Sequence, residues 1–328
     1  MSQALPNHGL QRKLRSAPPP LKPTVSYHAV VGSIQMLQEK KVNLDSVVLN
    51  YVEGPPSGPP VLLLHGIPDR WQEFLPIIPA LCLRWKLYAL DFRGHGKSGR
   101  VPGGYHSRFY GQDVVDFLKK NVCKPAIVFG MSAGGLVALD VAARAPERVS
   151  ALVLGDSPID MDWLVAWMTS AEFRALFSAF RALAASKLSI SEIASELAQL
   201  PISVPGDREA IRYGDQPGVD AVSLRQLAIT LYQLDPGVLE YHAEARAKEY
   251  LEGFDLREML ARITCPVLLL QGDPSHGGMM TSASVEYALS RLANGSHVLI
   301  EGHGHDLGLD SWEPGPVLRA VSTFLESL

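Results

Sequence analysis

An α/β fold, with a mostly parallel sheet, helices on both faces and one helical insertion, is predicted by three features of the sequence. Short apolar runs alternate with helix-patterned segments from about residue 47 to 158, and again from 266 to 326. Between 159 and 253 the rhythm breaks into Ala-, Leu-, Glu- and Arg-rich helical patterns without a strand-like run. The third feature is Ala126–Leu139, which reads as an apolar strand, a glycine-flanked serine and a helix.

Bulk composition narrows the function. At 328 residues, 47% hydrophobic and 20% charged, the chain can bury a sizeable core. A net charge of −4 gives no basic footprint, so nucleic acid is not an expected partner. No apolar run reaches the ~20 residues of a membrane span, so no membrane association is expected. Residues 1–25 carry Arg12, Lys13 and Arg15, then Pro18-Pro19-Pro20, but no apolar signal core, which predicts a cytoplasmic protein with a partly flexible extension over 1–40. Cys82, Cys123 and Cys265 are widely spaced and read as buried thiols, with neither a disulfide framework nor metal-ligand spacing.

In chain order, Val47–Glu53 reads as a strand stopped by Gly54-Pro55-Pro56. Val61–Leu64 is continuously apolar, as a strand buried on both faces must be, and runs into His65-Gly66-Ile67-Pro68-Asp69-Arg70-Trp71. A helix is expected from there to about Leu83. The strand Leu87–Leu90 enters the glycine-rich loop Asp91–Gly99, and 107–121 has the pattern of an amphipathic helix. Val149–Leu154 is the strand before the insertion and ends in Gly155-Asp156-Ser157-Pro158. Afterwards come a strand at 266–270, a helix around 282–293, a strand at 297–300 and a last helix at 315–326. The core is thus expected at 41–158 and 254–328, with 159–253 as a helical cap.

Gly130-x-Ser132-x-Gly134 carries the chemistry. A serine hydroxyl attacks only when it is held exposed, beside a base, with N–H groups nearby for the oxyanion. A sharp strand-to-helix turn does this and needs small residues two positions either side. The pattern alone arises by chance roughly 0.2 times in such a chain, so its partners decide its meaning. His303 and His305 follow the last strand in a glycine-rich loop, and His305 is the preferred base. For the acid, Asp273 is preferred in the loop after Leu270, with Asp156 as its rival; either aspartate could instead form a turn. Ala133 N–H, the residue after the nucleophile, and Ile67 N–H are the expected oxyanion donors, since Pro68 has none and Gly66 serves close approach of the substrate.

His65-Gly66-Ile67-Pro68, Asp91-x-Arg93-Gly94-x-Gly96-x-Ser98, Gly130-x-Ser132-x-Gly134 and Gly304-His305 occur in the order found in α/β-hydrolase fold proteins, and over about residues 42–328 the chain resembles that family. The resemblance implies an eight-stranded-type sheet, a cap inserted after the sixth strand, and a Ser–acid–His triad of Ser132, Asp273 and His305. Residues 65–71 are similar to the capped epoxide-hydrolase and dehalogenase branch, whose nucleophile is aspartate; Ser132 instead implies ester or related hydrolysis. The family's acid usually stands three residues after the strand-seven glycine, where this chain has Ser275. The activity so implied is hydrolysis of a small or medium carboxylic ester or lactone through an acyl-enzyme, without metal or organic cofactor, by a monomer or homodimer. Carbon–carbon or aminopeptidase-type hydrolysis with the same triad, or a non-enzymatic ligand-binding role, are the alternatives. Gly66, Met131, Trp163 and Trp167 are candidate pocket residues for a small apolar ester-like substrate, unless the tryptophans simply pack the cap onto the core.

Overall fold

The computed structural model describes residues 37–202, 210–216 and 218–328; most of the expected extension lies outside them. Its centre is an eight-stranded sheet of β1 (Gln38–Asn43), β2 (Val48–Glu53), β3 (Pro60–Leu64), β4 (Lys86–Leu90), β5 (Ala126–Met131), β6 (Val149–Gly155), β7 (Val267–Gly272) and β8 (Gly295–Ile300). The strands lie in the order β1-β2-β4-β3-β5-β6-β7-β8. The pairs β1/β2 and β2/β4 are antiparallel and the rest parallel. Every residue of β3, β5 and β7 is buried, as strands covered on both faces require.

Two apolar layers enclose the sheet. One contains Val114, Phe117 and Leu118 of α1 (Ser107–Asn121) and Leu136 and Leu139 of α2 (Ala133–Arg144). The other holds Phe74, Ile77 and Phe129 with Val317, Val321 and Leu325 from the C-terminal helix, Gly315–Glu326. Each such side chain, fully buried, contributes about 1.5–3 kcal/mol to folding.

Between β6 and β7 the chain forms the helical insertion. Its helices α3 (Met161–Met168), α4 (Ala171–Ala184), α5 (Ile190–Gln199) and α6 (Ala221–Gln233) start at Asp160, Ser170, Ser189 and Asp220, each side chain accepting a first-turn N–H. The insertion is tied to the core by polar bonds. Arg70 donates to Gln226 (2.8 Å) and Thr230 (3.2 Å) of α6, and Tyr105 Oη donates to Asp235 (2.6 Å).

The structure departs from the sequence reading in four places. A strand, β1, begins at Gln38 inside the expected extension; its sequence, QEKKVN, is charged as an edge strand's can be, so it has no apolar signature. After Pro68 there is no continuous helix. A 3-10 turn (Trp71–Phe74) and one helical turn (Ile78–Leu81) replace it, because Pro76 and Pro79 remove the N–H groups a longer helix needs. Within the insertion, Pro201–Ile202 and Ile211–Arg212 pair as a two-residue ladder, too short for periodicity to reveal. Finally, Cys82 is buried and Cys265 half-buried, but Cys123, just past the end of α1, is exposed. Among the described residues no helix is long and apolar enough to cross a membrane, and no group of three or more His, Cys, Asp or Glu could hold a metal ion.

Candidate active site

Ser132 stands between β5 and α2 with φ 50° and ψ −120°, a conformation that non-glycine residues rarely adopt. The neighbouring glycines make the turn possible. A Cβ on Gly130 would lie 2.2 Å from Gly134 O, and one on Gly134 would lie 2.2 Å from Leu64 O. Ser132 N–H donates to Gly155 O (2.8 Å), which ties the turn to the end of β6. The N-terminus of α2 directs its positive end to the same place.

His305 arrives on the loop after β8. Its Nδ1 lies 2.7 Å from Asp156 Oδ2. A carboxylate only accepts, so the imidazole proton sits on Nδ1 and Nε2 is left with a free lone pair, the form a general base requires. The carboxylate of Asp156 is itself fully buried. It accepts Gly272 N–H (2.9 Å) and Met280 N–H (3.0 Å) on Oδ1, and Met279 N–H (2.6 Å) on Oδ2. Three backbone donors therefore replace the water this carboxylate gives up. Like Ser132, Asp156 has positive φ, 37°. Backbone conformations of this kind are held where surrounding structure over-determines them, commonly at functional sites.

The structure does not bring Asp273, the preferred acid, to His305. Its Oδ1 accepts Ser275 N–H (2.9 Å) and Ser275 Oγ–H (2.6 Å), and its Oδ2 accepts Gly302 N–H (3.0 Å). Those bonds, led by the Ser275 hydroxyl, hold its carboxyl below the usual carboxylate range. Asp273 caps a turn and fastens it to the histidine loop. The physical reason is topology: β6 and β7 are neighbours, so both aspartates end near the same loop, and Asp156 is the one that faces the imidazole. Gly272 carries a signal of this arrangement, since a Cβ there would come within 3.1 Å of Asp156 Cγ and 2.5 Å of Gly304 O.

The loop after β3 is braced on each peptide. Phe92 N–H donates to His65 Nε2 (3.0 Å), so the His65 proton is on Nδ1, which donates to Gly66 O (2.6 Å). Burial, helped by nearby His95, pushes the His65 pKa well below its ordinary value and keeps the ring neutral. In the trans Gly66–Ile67 peptide the N–H points opposite to the C=O, so Ile67 N–H is aimed away from His65. Among the described residues, neither Ile67 N–H nor Ala133 N–H donates to another protein group. Gly66 N–H is engaged by Glu73 Oε2 at 2.9 Å.

Sequence reasoning passed over Glu73; its one signal is a carboxylate in the largely apolar run between Trp71 and Leu83. Burial raises its pKa well above the carboxylate range, and Asp69, Asp310 and Asp306 add to the shift. Asp69 is pushed up to about 7 by burial and then by Asp310.

The expected pocket residues fare unevenly. A Cβ at Gly66 would lie 3.2 Å from Ser132 Cβ, so the missing side chain does leave room at the nucleophile. Met131 is 1% exposed and packs in the core layer beneath the sheet, its Sδ filling the space beside Gly155. It alternates with Ser132 in direction, as consecutive residues at a strand end do. Trp163 and Trp167 stack on each other (5.6 Å, 12°), and Trp167 packs edge-on against Phe173 of α4 (4.3 Å). These contacts use the rings for packing within the insertion.

The layered parallel sheet, the glycine-flanked serine turn and the aspartate-bound histidine are those of an α/β-hydrolase. The chain belongs to the alpha/beta hydrolase fold family, whose sequence pattern matches residues 59–311. It is 26% identical over 291 residues, 88% of this chain and 95% of the other, to 2-(acetamidomethylene)succinate hydrolase of Mesorhizobium japonicum. It is 40% identical over 108 residues to the serine hydrolase-like protein of Danio rerio, a match covering 32% of this chain and 33% of that one. Among solved structures, E-2-(acetamidomethylene)succinate hydrolase superposes with a TM-score of 0.66 at 24% identity, covering 88% of this chain and 99% of that one. A Thermogutta terrifontis esterase with malate bound superposes with a TM-score of 0.64 at 21% identity, covering 88% and 98%. At these identities the structural matches speak for the fold.

Proposed function

We propose that the protein is a serine hydrolase that cleaves a small or medium carboxylic ester or lactone through an acyl-enzyme. The observation that carries this reading is the His305–Asp156 bond at 2.7 Å, which leaves His305 Nε2 free as a base, while Ser132 N–H is bonded to the carbonyl of Gly155, the residue just before Asp156. Ser132 Oγ attacks the carbonyl carbon as its proton passes to His305 Nε2. The oxyanion is met by Ile67 N–H and Ala133 N–H, and the alkoxide leaves with the proton from His305. A water then repeats the sequence on the acyl-enzyme and frees the acid. Asp156 holds the imidazole tautomer and stabilises the imidazolium. No step requires a metal or organic cofactor.

The electrostatic setting supports an uncharged acyl group. Besides burial, Asp310 raises Asp69, Asp69 and Asp310 raise Glu73, and Asp306 raises Glu73 and Asp310; Tyr213 of the insertion is raised by burial first and then by Asp310 and Asp69. The burial and neighbouring carboxyls that raise Glu73, Asp69 and Asp310 equally disfavour a further negative charge, such as a dianionic substrate would bring. The M. japonicum relative, by its name, hydrolyses a substituted succinate; carbon–carbon or aminopeptidase-type hydrolysis with the same triad is the second reading, with a different charge preference here. The test is hydrolysis of p-nitrophenyl esters of graded acyl length, neutral and carboxylated, by wild type and Ser132→Ala. Turnover of short neutral esters that disappears in Ser132→Ala is expected. Equal turnover by the folded variant would reject the reading, and faster turnover of carboxylated esters would reject the charge preference.

A further inference from the structure

We infer that Glu73 is a positioning residue for acyl transfer: by holding the Gly66 N–H it sets the loop that presents the Ile67 N–H to the oxyanion. This rests on the serine-hydrolase reading above. The oxyanion loop consists of two consecutive peptide units, and each is clamped. The second, Gly66–Ile67, is fixed by the 2.6 Å bond from His65 Nδ1–H to Gly66 O. The first, His65–Gly66, lies between Gly134 and Glu73. A Cβ on Gly134 would come 2.6 Å from His65 O on one side, while Gly66 N–H donates to Glu73 Oε2 at 2.9 Å on the other. If the Glu73 bond is lost, the first peptide can rotate, and because Gly66 has no side chain the rotation passes to the Ile67 N–H.

The carboxyl also faces the chemistry. The point where a Gly66 side chain would begin lies 3.2 Å from Ser132 Cβ and 3.7 Å from Glu73 Oε1. Glu73 and the nucleophile thus border the same small space. An ionised carboxylate there would oppose a developing oxyanion. Burial, with Asp69, Asp310 and Asp306 nearby, favours the neutral acid, which still offers an oxygen to Gly66 N–H without placing a full charge beside the site.

The experiment compares wild type, Glu73→Leu and Glu73→Gln in the full chain. It measures the acylation rate and KM with p-nitrophenyl acetate, and the Kd of phenylboronic acid, which forms a tetrahedral adduct on an active serine. Concentrations are set by active-site titration, so partly unfolded protein does not enter the rates. Glu73→Leu is expected to slow acylation and weaken boronate binding in parallel by about 10- to 100-fold, with KM changed less than threefold. Glu73→Gln, which keeps an oxygen acceptor, is expected to recover most of both losses. Acylation and boronate affinity within twofold of wild type in titratable Glu73→Leu would overturn the proposal, as would a Glu73→Gln variant no better than Glu73→Leu. Fluorophosphonate labelling of wild type but not Ser132→Ala, run alongside, separates failure of this proposal from failure of the serine-hydrolase reading.

Discussion

Replacing Asp156 by asparagine tests which carboxylate serves His305. The Asp156 carboxylate accepts four bonds: Gly272 N–H and Met280 N–H on one oxygen, Met279 N–H and His305 Nδ1–H on the other. Asparagine has one oxygen for those four donors. If it keeps Gly272 and Met280, its NH2 group confronts Met279 N–H and His305 Nδ1. The unpaired Met279 amide costs about 1–3 kcal/mol of stability. The imidazole must then accept at Nδ1 and carry its proton on Nε2, where it cannot take the Ser132 proton. In serine-protease triads the same tautomer error lowers kcat about 10⁴-fold, and a loss of 10³–10⁴ here corresponds to about 4–5.5 kcal/mol of barrier. Asp273→Asn, which alters a turn cap, is expected to change kcat less than threefold. The assay is steady-state hydrolysis of p-nitrophenyl acetate, with folding checked by circular dichroism. A thousandfold loss in Asp273→Asn together with near-normal Asp156→Asn would refute the reasoning.

Two further outcomes follow from the geometry. Gly134→Ala places a methyl 2.2 Å from Leu64 O, a backbone atom in a buried strand, and should destabilise the chain by about 3 kcal/mol or more; urea denaturation with an unchanged midpoint would contradict this. Asp69, raised to about 7 from an ordinary value of 3.8, binds its proton more tightly folded than unfolded. Its contribution to stability is therefore complete below about pH 4 and lost as pH rises through about 7. Because the group is only partly buried, about 1–2 kcal/mol is expected. Asp69→Asn should flatten the fall of the urea midpoint between pH 4 and 8, and an unchanged slope would contradict the assignment.

How far the sequence could be read depended on the range of the interactions. Ser132 was legible because its geometry is local: two glycines, a strand and a helix within fourteen residues specify the turn. The position of His305, in a glycine-rich loop after the last strand, was legible for the same reason. The choice between Asp156 and Asp273 was not, since it depends on which of two adjacent strand ends faces the imidazole, a property of the assembled sheet. Met131 was misplaced for want of a side-chain direction at the strand end. Glu73 escaped notice because its partner is a backbone amide seven residues away, which leaves no trace in residue types. Strand β1 stayed hidden because its pairing with β2 is satisfied by backbone bonds beneath charged side chains.

The most direct test of the central claim is the intact mass of the protein after reaction with a fluorophosphonate. The Ser132–His305–Asp156 arrangement predicts the addition of one phosphonyl group, at Ser132, with much slower labelling in His305→Ala and none in Ser132→Ala. A folded wild-type protein that stays unmodified, or a Ser132→Ala variant that gains the same mass, would contradict it.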